Sequence, residues 1–351
     1  MSGPVSRRGL FRLAAVSAAG LAAKALAGGG PAAGSPRHQP QTRERHAPDP
    51  NAPGGAVPHG GDLGVVGEVD IRRAGVDPMR YLTRFDWGKA TPLPGGRMLR
   101  EYRLVAQVRE IEVAPGVTFV AWTYNGQVPG PTLRAREGDR LRVHFVNGAP
   151  HPHNIHFHGF HAAEMDGIDP IAPGGSFSYE FDAEPFGLHL YHCHVQPLKR
   201  HIHKGLYGTF IIDPPQGRPP ARELVMMMNA FDTDFDGENE VYAVNSVPFF
   251  YMRHPIRIRQ GELVRIYLVN ITEFDPINSF HLHANFFDVY PTGTRLVPAH
   301  FTDTIMLCQA ERAVLEFRYR RPGRFMFHAH QSEFVELGWM SFFEVIADGA
   351  V

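Results

Sequence analysis

Apolar and polar residues alternate in short runs over most of this chain. The run Arg140-Leu141-Arg142-Val143-His144-Phe145-Val146 shows the pattern plainly. A period of two puts every second side chain on one face of a pleated strand, so each run predicts a strand with one buried face. Gly, Pro and Asn punctuate the runs, which predicts turns between short strands. Only the stretch from Asp77 to Trp87 is expected to be helical.

The runs recur in a larger repeat. Glu137-Gly138-Asp139-Arg140-Leu141-Arg142-Val143-His144-Phe145-Val146-Asn147 parallels Gln260-Gly261-Glu262-Leu263-Val264-Arg265-Ile266-Tyr267-Leu268-Val269-Asn270. Each copy is followed by a His-x-His pair, a Pro/Gly turn and an aromatic-rich strand with a second pair at its end. Those strands are Leu190-Tyr191-His192-Cys193-His194 and Met326-Phe327-His328-Ala329-His330. The expected architecture is therefore all-β, with two copies of one sandwich-like domain at 67–215 and 216–351.

Composition narrows the function. A chain of 351 residues suits two domains. The formal net charge of −1 leaves no basic footprint for nucleic acid. Two cysteines make no disulfide framework. Ser6-Arg7-Arg8-Gly9-Leu10-Phe11 and the small-residue apolar stretch Leu13 to Ala27 predict a twin-arginine export signal over 1–27, and so a periplasmic or extracellular location. Residues 28–66, rich in Gly, Pro and Ala, read as a disordered linker. No further segment has the length and apolarity of a membrane span.

Twenty histidines are many for this length, and eleven fall between His144 and His203. Imidazole is the commonest nitrogen ligand of transition metals. Residues i and i+2 of a strand project to the same side, so each of the pairs His156/His158, His192/His194, His281/His283 and His328/His330 aims two rings into one region. One pair alone is weak. Four, at matching points of a duplicated domain, point to metal. Cys193 adds a thiolate. With two imidazoles it would make the trigonal site of a blue-copper centre. His153, Cys193 and His201 could supply it, with His203 competing for the last place, and the spacing of His201 and His203 predicts one strand face for both.

The His153-Asn-Ile-His156-Phe-His158 run, the His192-Cys193-His194 core and the four pairs resemble the multicopper oxidases, in particular the two-domain laccase-like group, over most of residues 96–346. That resemblance implies two cupredoxin-like Greek-key domains. It assigns His153, Cys193 and His201 to a type 1 copper, with Leu206 in the axial position as a residue that cannot coordinate. It assigns His156 and His281 to a type 2 copper. His158, His192 and His330 would hold one type 3 copper, and His194, His283 and His328 the other, giving about four coppers per chain. Asn278 and Ala329 stand where the second domain would need its first histidine and its cysteine, so one mononuclear site per chain is expected. The implied reaction is one-electron oxidation of a small reductant, such as a phenol or aromatic amine, coupled to reduction of dioxygen to water. The implied assembly is a homotrimer whose trinuclear clusters lie between subunits.

Asp303 and Glu333 are candidates for proton delivery. Two other functions stay open at this point: a copper nitrite reductase, and a copper-binding or electron-transfer protein without turnover. Met226-Met227-Met228 raises cuprous ion as a substrate, but three methionines in an apolar strand read as core. Cys308 is expected to be a buried free thiol. His151, His161, His189 and His300 read as surface or core residues near the ligands, and Asp166 as a turn residue.

Overall fold

A computed structural model describes residues 68–347. The predicted export signal and linker lie outside the described residues.

The expected strands form, in four sheets. In the first half, Lys89–Pro92, Met98–Ala114, Arg140–Asn147 and Ser176–Asp182 follow one another across one sheet, and Val117–Tyr124 pairs with Met98–Ala114. The second sheet runs Gly130–Arg136, Tyr207–Asp213, Gly187–His192, His156–Phe157. Arg140–Asn147 buries alternate residues. Its Leu141, Val143 and Phe145 meet Leu133, Phe157, Tyr191 and Phe210 of the other sheet in one core, which also encloses Cys193 and Leu206.

The second half repeats the plan. One sheet runs Val241–Val244, Arg222–Phe231, Val264–Asn270, Arg312–Phe317, Phe287–Pro291, His300–Thr302. The other runs Ile256–Arg259, Met340–Ile346, Gly323–His328, Ile277–Leu282, Thr304–Cys308. The duplication shows in strand direction: Met98–Ala114 lies parallel to Arg140–Asn147 as Arg222–Phe231 lies parallel to Val264–Asn270.

A third apolar cluster joins the halves. Ile111, Phe119, Leu188, Leu190 and Ile211 pack against Val225, Met227, Tyr267, Val269 and Val314. This explains why Val264–Asn270 is buried on both faces where its counterpart alternates. The three methionines divide accordingly: Met226 and Met228 enter the second core and Met227 the joint between halves. Each such side chain contributes roughly 1.5–3 kcal/mol when fully buried. Arg134 also bridges the joint, held by Asp213 of its own half at 2.9 Å and reaching Glu223 of the second half at 2.7 Å.

The Asp77–Trp87 expectation holds only in part. The helix is one turn, Pro78–Tyr81, capped by the Asp77 side chain. Too short to stand alone, it is held by packing. Val69, Ala74 and Leu82 enter the second core, Tyr81 enters the joint, and the Val225 N–H donates to Leu82 O at 2.8 Å. The chain thus touches its second half before building its first.

Candidate metal centres

Cys193 follows the last residue of strand Gly187–His192, and its N–H donates to Leu206 O at 3.0 Å. Its Sγ lies 3.1 Å from His201 Nδ1 and 3.8 Å from His153 Nδ1, and those two nitrogens are 3.2 Å apart. All three residues are buried. One soft sulfur and two imidazole nitrogens at the corners of a small triangle form a donor set that fits copper. Burial pushes His153 down to about 3 and His201 down to about 4, so both imidazoles are neutral and free to ligate. Burial also pushes the Cys193 thiol up to about 11, so a metal must displace its proton. Leu206 is fully buried in the same core as Cys193 and brings only hydrocarbon.

His203 does not compete. His201 and His203 share not a strand but the helix Leu198–His203, and a helix turns i and i+2 to nearly opposite sides. His203 faces away and accepts from the Asp232 N–H at 3.1 Å. Two neighbours escaped the sequence reading. Trp122 covers the triangle, with its ring 5.0 Å from His153 and 4.8 Å from His201. The Asn154 carboxamide oxygen accepts from the His194 N–H at 2.7 Å and lies 3.5 Å from Cys193 Sγ.

The remaining histidines form two separate groups. In the first half His158 Nε2 and His192 Nε2 meet at 3.2 Å, and the His156 ring lies 5.1–5.4 Å from those of His158, His192 and His194. In the second half His283 Nε2 and His328 Nε2 meet at 2.8 Å, and the His281 ring lies 5.0–5.3 Å from those of His283, His328 and His330. The pairs sit where strands end, not within them. Backbone carbonyls fix several rings. His192 Nδ1 donates to Cys193 O at 3.0 Å, His328 Nδ1 to Ala329 O, His156 Nδ1 to Asp166 O at 2.8 Å, and His281 Nδ1 to Asp303 O at 3.0 Å. Each bond leaves Nε2 as the free donor atom, the arrangement that metal-binding histidines need. Burial lowers His158 to about 2 and His192 to about 4, again the neutral form.

The matching mononuclear position of the second half is filled. The Ala329 N–H donates to Trp339 O as the Cys193 N–H does to Leu206 O, and the Trp339 N–H donates to Phe334 O as the Leu206 N–H does to His201 O. Cys193, His201 and Leu206 thus correspond to Ala329, Phe334 and Trp339. Phe334 stacks on Tyr242 at 3.9 Å, and Asn278 donates to Thr272 Oγ1 at 3.0 Å.

Asp303 stands beside a cluster. Its backbone oxygen holds His281, and its carboxylate accepts from Thr304 Oγ1 at 3.0 Å, a hydroxyl itself 2.8 Å from His281 Nδ1. Glu333 is exposed on the helix Ser332–Glu336, and among the described residues its carboxylate bonds to no cluster histidine. Asp166 is more than a turn residue, since its carboxylate lies 3.1 Å from His156 Nδ1. His161 is part-buried and bonds Phe157 O at 2.9 Å. His189 is buried and bonds Pro185 O at 2.8 Å, whereas His151 and His300 are exposed. Cys308 corrects the expectation of a buried thiol: it is free but exposed, because it ends an outer strand.

Known proteins share these features. Multicopper oxidase signatures match residues 106–217 and 217–348. A solved multicopper oxidase superposes with a TM-score of 0.78 at 58% identity, covering 79% of this chain and 100% of the other. This chain belongs to the multicopper oxidase family. A copper-containing nitrite reductase of Neisseria meningitidis is 31% identical over 247 residues, 63% of this chain and 63% of the reductase. Laccase-2 of Botryotinia fuckeliana is 37% identical over 145 residues, 38% of this chain and 24% of the laccase. The chain therefore spans under two thirds of these curated relatives. Family membership implies copper binding, and the buried sulfur and imidazole donors of this multicopper oxidase suit it. Among its described residues no helix is long and apolar enough to cross a membrane.

Proposed function

We propose that this multicopper oxidase is laccase-like, oxidising a small reductant such as a phenol or aromatic amine and reducing dioxygen to water. Copper, when bound, supplies one-electron acceptance at the thiolate centre and dioxygen reduction at the histidine clusters. His153, Cys193 and His201 would hold the type 1 ion, and Leu206 beside them brings no donor atom. His156 and His281 would hold the type 2 ion. His158, His192 and His330 would hold one type 3 ion, and His194, His283 and His328 the other, about four ions per chain. Cys193 is bonded through the backbone to His192 and His194, so its sulfur has a short covalent route to the clusters. Thr304 and Asp303 keep a proton-bearing chain on His281.

One observation carries the reading. Each half of the chain presents a pair of converging Nε2 atoms and two further rings, and no described contact joins the two groups. Each group is half of a three-metal site. A head-to-tail homotrimer completes it, with the first half of one subunit facing the second half of the next. Exposed apolar side chains support such burial, including Phe160, Ile168, Phe286 and Phe301. The twin-arginine pattern supports export to the periplasm or beyond.

Nitrite reduction is the second reading, favoured by the Neisseria relative. Against it, His156 stands where the resemblance to nitrite reductases calls for an aspartate, and His194 and His330 exceed what a lone type 2 ion needs. Copper analysis and an oxygen electrode decide. About four ions per chain, with oxygen uptake on 2,6-dimethoxyphenol, is expected. About two ions, with nitric oxide from nitrite, would replace this reading, and a loaded protein consuming no oxygen overturns it.

A further inference from the structure

The helix Leu198–His203 has two working sides. One holds His201 against Cys193. The other opens on a cavity of about 580 Å³ at the joint between the halves. Lys199, Arg200, His203 and Lys204 line it from the first half, Phe235 and Phe274 from the second.

Lys204 is the unusual member. It is only 6% exposed, and no carboxylate pairs with it among the described residues. Its ammonium rests instead on aromatic faces, 4.3 Å from Phe119 and 4.7 Å from Phe235. Lys199 lies 4.3 Å over Phe274, and Arg200 5.4 Å over Trp122. Two acids share the cavity, but their own loop engages them. Asp232 accepts from the Phe235 and Gly237 N–H groups, and Asp236 from the Glu238 N–H. A buried ammonium without an anion is costly. The fold does not demand it. The Trp122 N–H donates to Lys204 O at 2.8 Å as the Tyr242 N–H donates to Leu337 O at 3.0 Å, so the matching position of the second half is a leucine.

We propose that this cavity binds the reducing substrate and selects an aromatic carboxylate, its ring among Phe235 and Phe274 and its carboxylate on Lys204 and Arg200. The proposal rests on the oxidase reading and names its substrate class. Arg200 covers Trp122, and Trp122 lies against His201, so the cavity and the thiolate centre share one aromatic layer. A phenolic acid bound there would be placed to give one electron to a cupric ion held by His153, Cys193 and His201, becoming a phenoxyl radical as its hydroxyl proton leaves to solvent.

Two measurements separate the cavity from the chemistry. The first is calorimetric binding of 3,4,5-trimethoxybenzoate, which is not oxidised as a phenol. The second is the ratio of kcat/KM for 4-hydroxy-3,5-dimethoxybenzoate to that for 2,6-dimethoxyphenol. Lys204→Met should weaken trimethoxybenzoate binding about tenfold or more and lower the ratio by a similar factor, as loss of a charge-assisted bond does. Lys199→Gln, on an exposed face, gives a smaller loss and leaves the buried core intact. Lys89→Gln, on a distant exposed strand, changes neither. No binding to the unaltered protein, or equal binding by Lys204→Met, overturns the cavity assignment. Absence of oxygen uptake with both phenols overturns the oxidase reading instead, and calorimetry still judges the cavity.

Discussion

At the scale of single residues the thiolate centre divides near neighbours cleanly. His201→Ala should abolish the intense red absorption of a copper thiolate, whereas His203→Ala should keep it, because only His201 Nδ1 faces Cys193 Sγ. The same spectrum should disappear in Cys193→Ser and persist in Cys308→Ser, whose sulfur is exposed and remote. Thr304 was silent in the sequence. A threonine in Phe301-Thr302-Asp303-Thr304 has many ordinary uses, and only the folded chain puts its hydroxyl 2.8 Å from His281 Nδ1. Thr304→Val should lower oxygen uptake or copper retention about tenfold, the usual cost of losing a partner that orients a metal-binding histidine. Dialysis followed by copper analysis separates the two effects. Trp122 was equally unreadable because it lies in no histidine motif, and Asn154 because it reads as a spacer between His153 and His156.

At the scale of elements, strands were legible, and of the helices only the single turn after Asp77 was. Arg140–Asn147 alternates in sequence and in burial alike, because one face is a core and the other meets water. His201-Ile202-His203 has the spacing of a strand pair, yet one helical turn sends the rings apart. Pro197, at the start of that helix, was the available signal. The same helix sets a pH test. Burial lowers the Lys204 ammonium to about 8 from its ordinary 10.5. Between those values the unfolded chain holds more protons than the folded one, so stability rises with pH across that window. Below pH 8 the folded state bears the whole penalty. Lys204→Met should therefore raise the urea midpoint at pH 7, and the gain should fade as pH climbs from 8 to 10.5. Met227 works the other way. Met227→Ala opens the joint between halves and should cost about 2–5 kcal/mol in the same titration.

At the scale of the whole molecule, the duplication was legible because the two copies keep their turn, strand and histidine order. The joint between halves was not, since both faces of Val264–Asn270 are apolar and sequence cannot say which partner each face meets. Assembly gives a direct test. His158→Ala and His283→Ala damage opposite half-sites, and each alone should be inactive. Mixed before assembly in equal amounts, they should recover about a quarter of full activity, since one interface in four then joins two intact halves in a closed ring. No recovery would place the whole cluster within one chain. The filled position of the second half adds a last consequence. Ala329, Phe334, Trp339 and Tyr242 pack among themselves where the first half has Cys193, His201, Leu206 and Trp122. If Cys193 and its histidines hold an ion, maturation has an order: this region of the second half is packed by the polypeptide alone, and its counterpart is completed when metal binds. Hydrogen exchange on metal-free protein should find amides around Leu206 opening sooner than those around Trp339, and copper should close the gap.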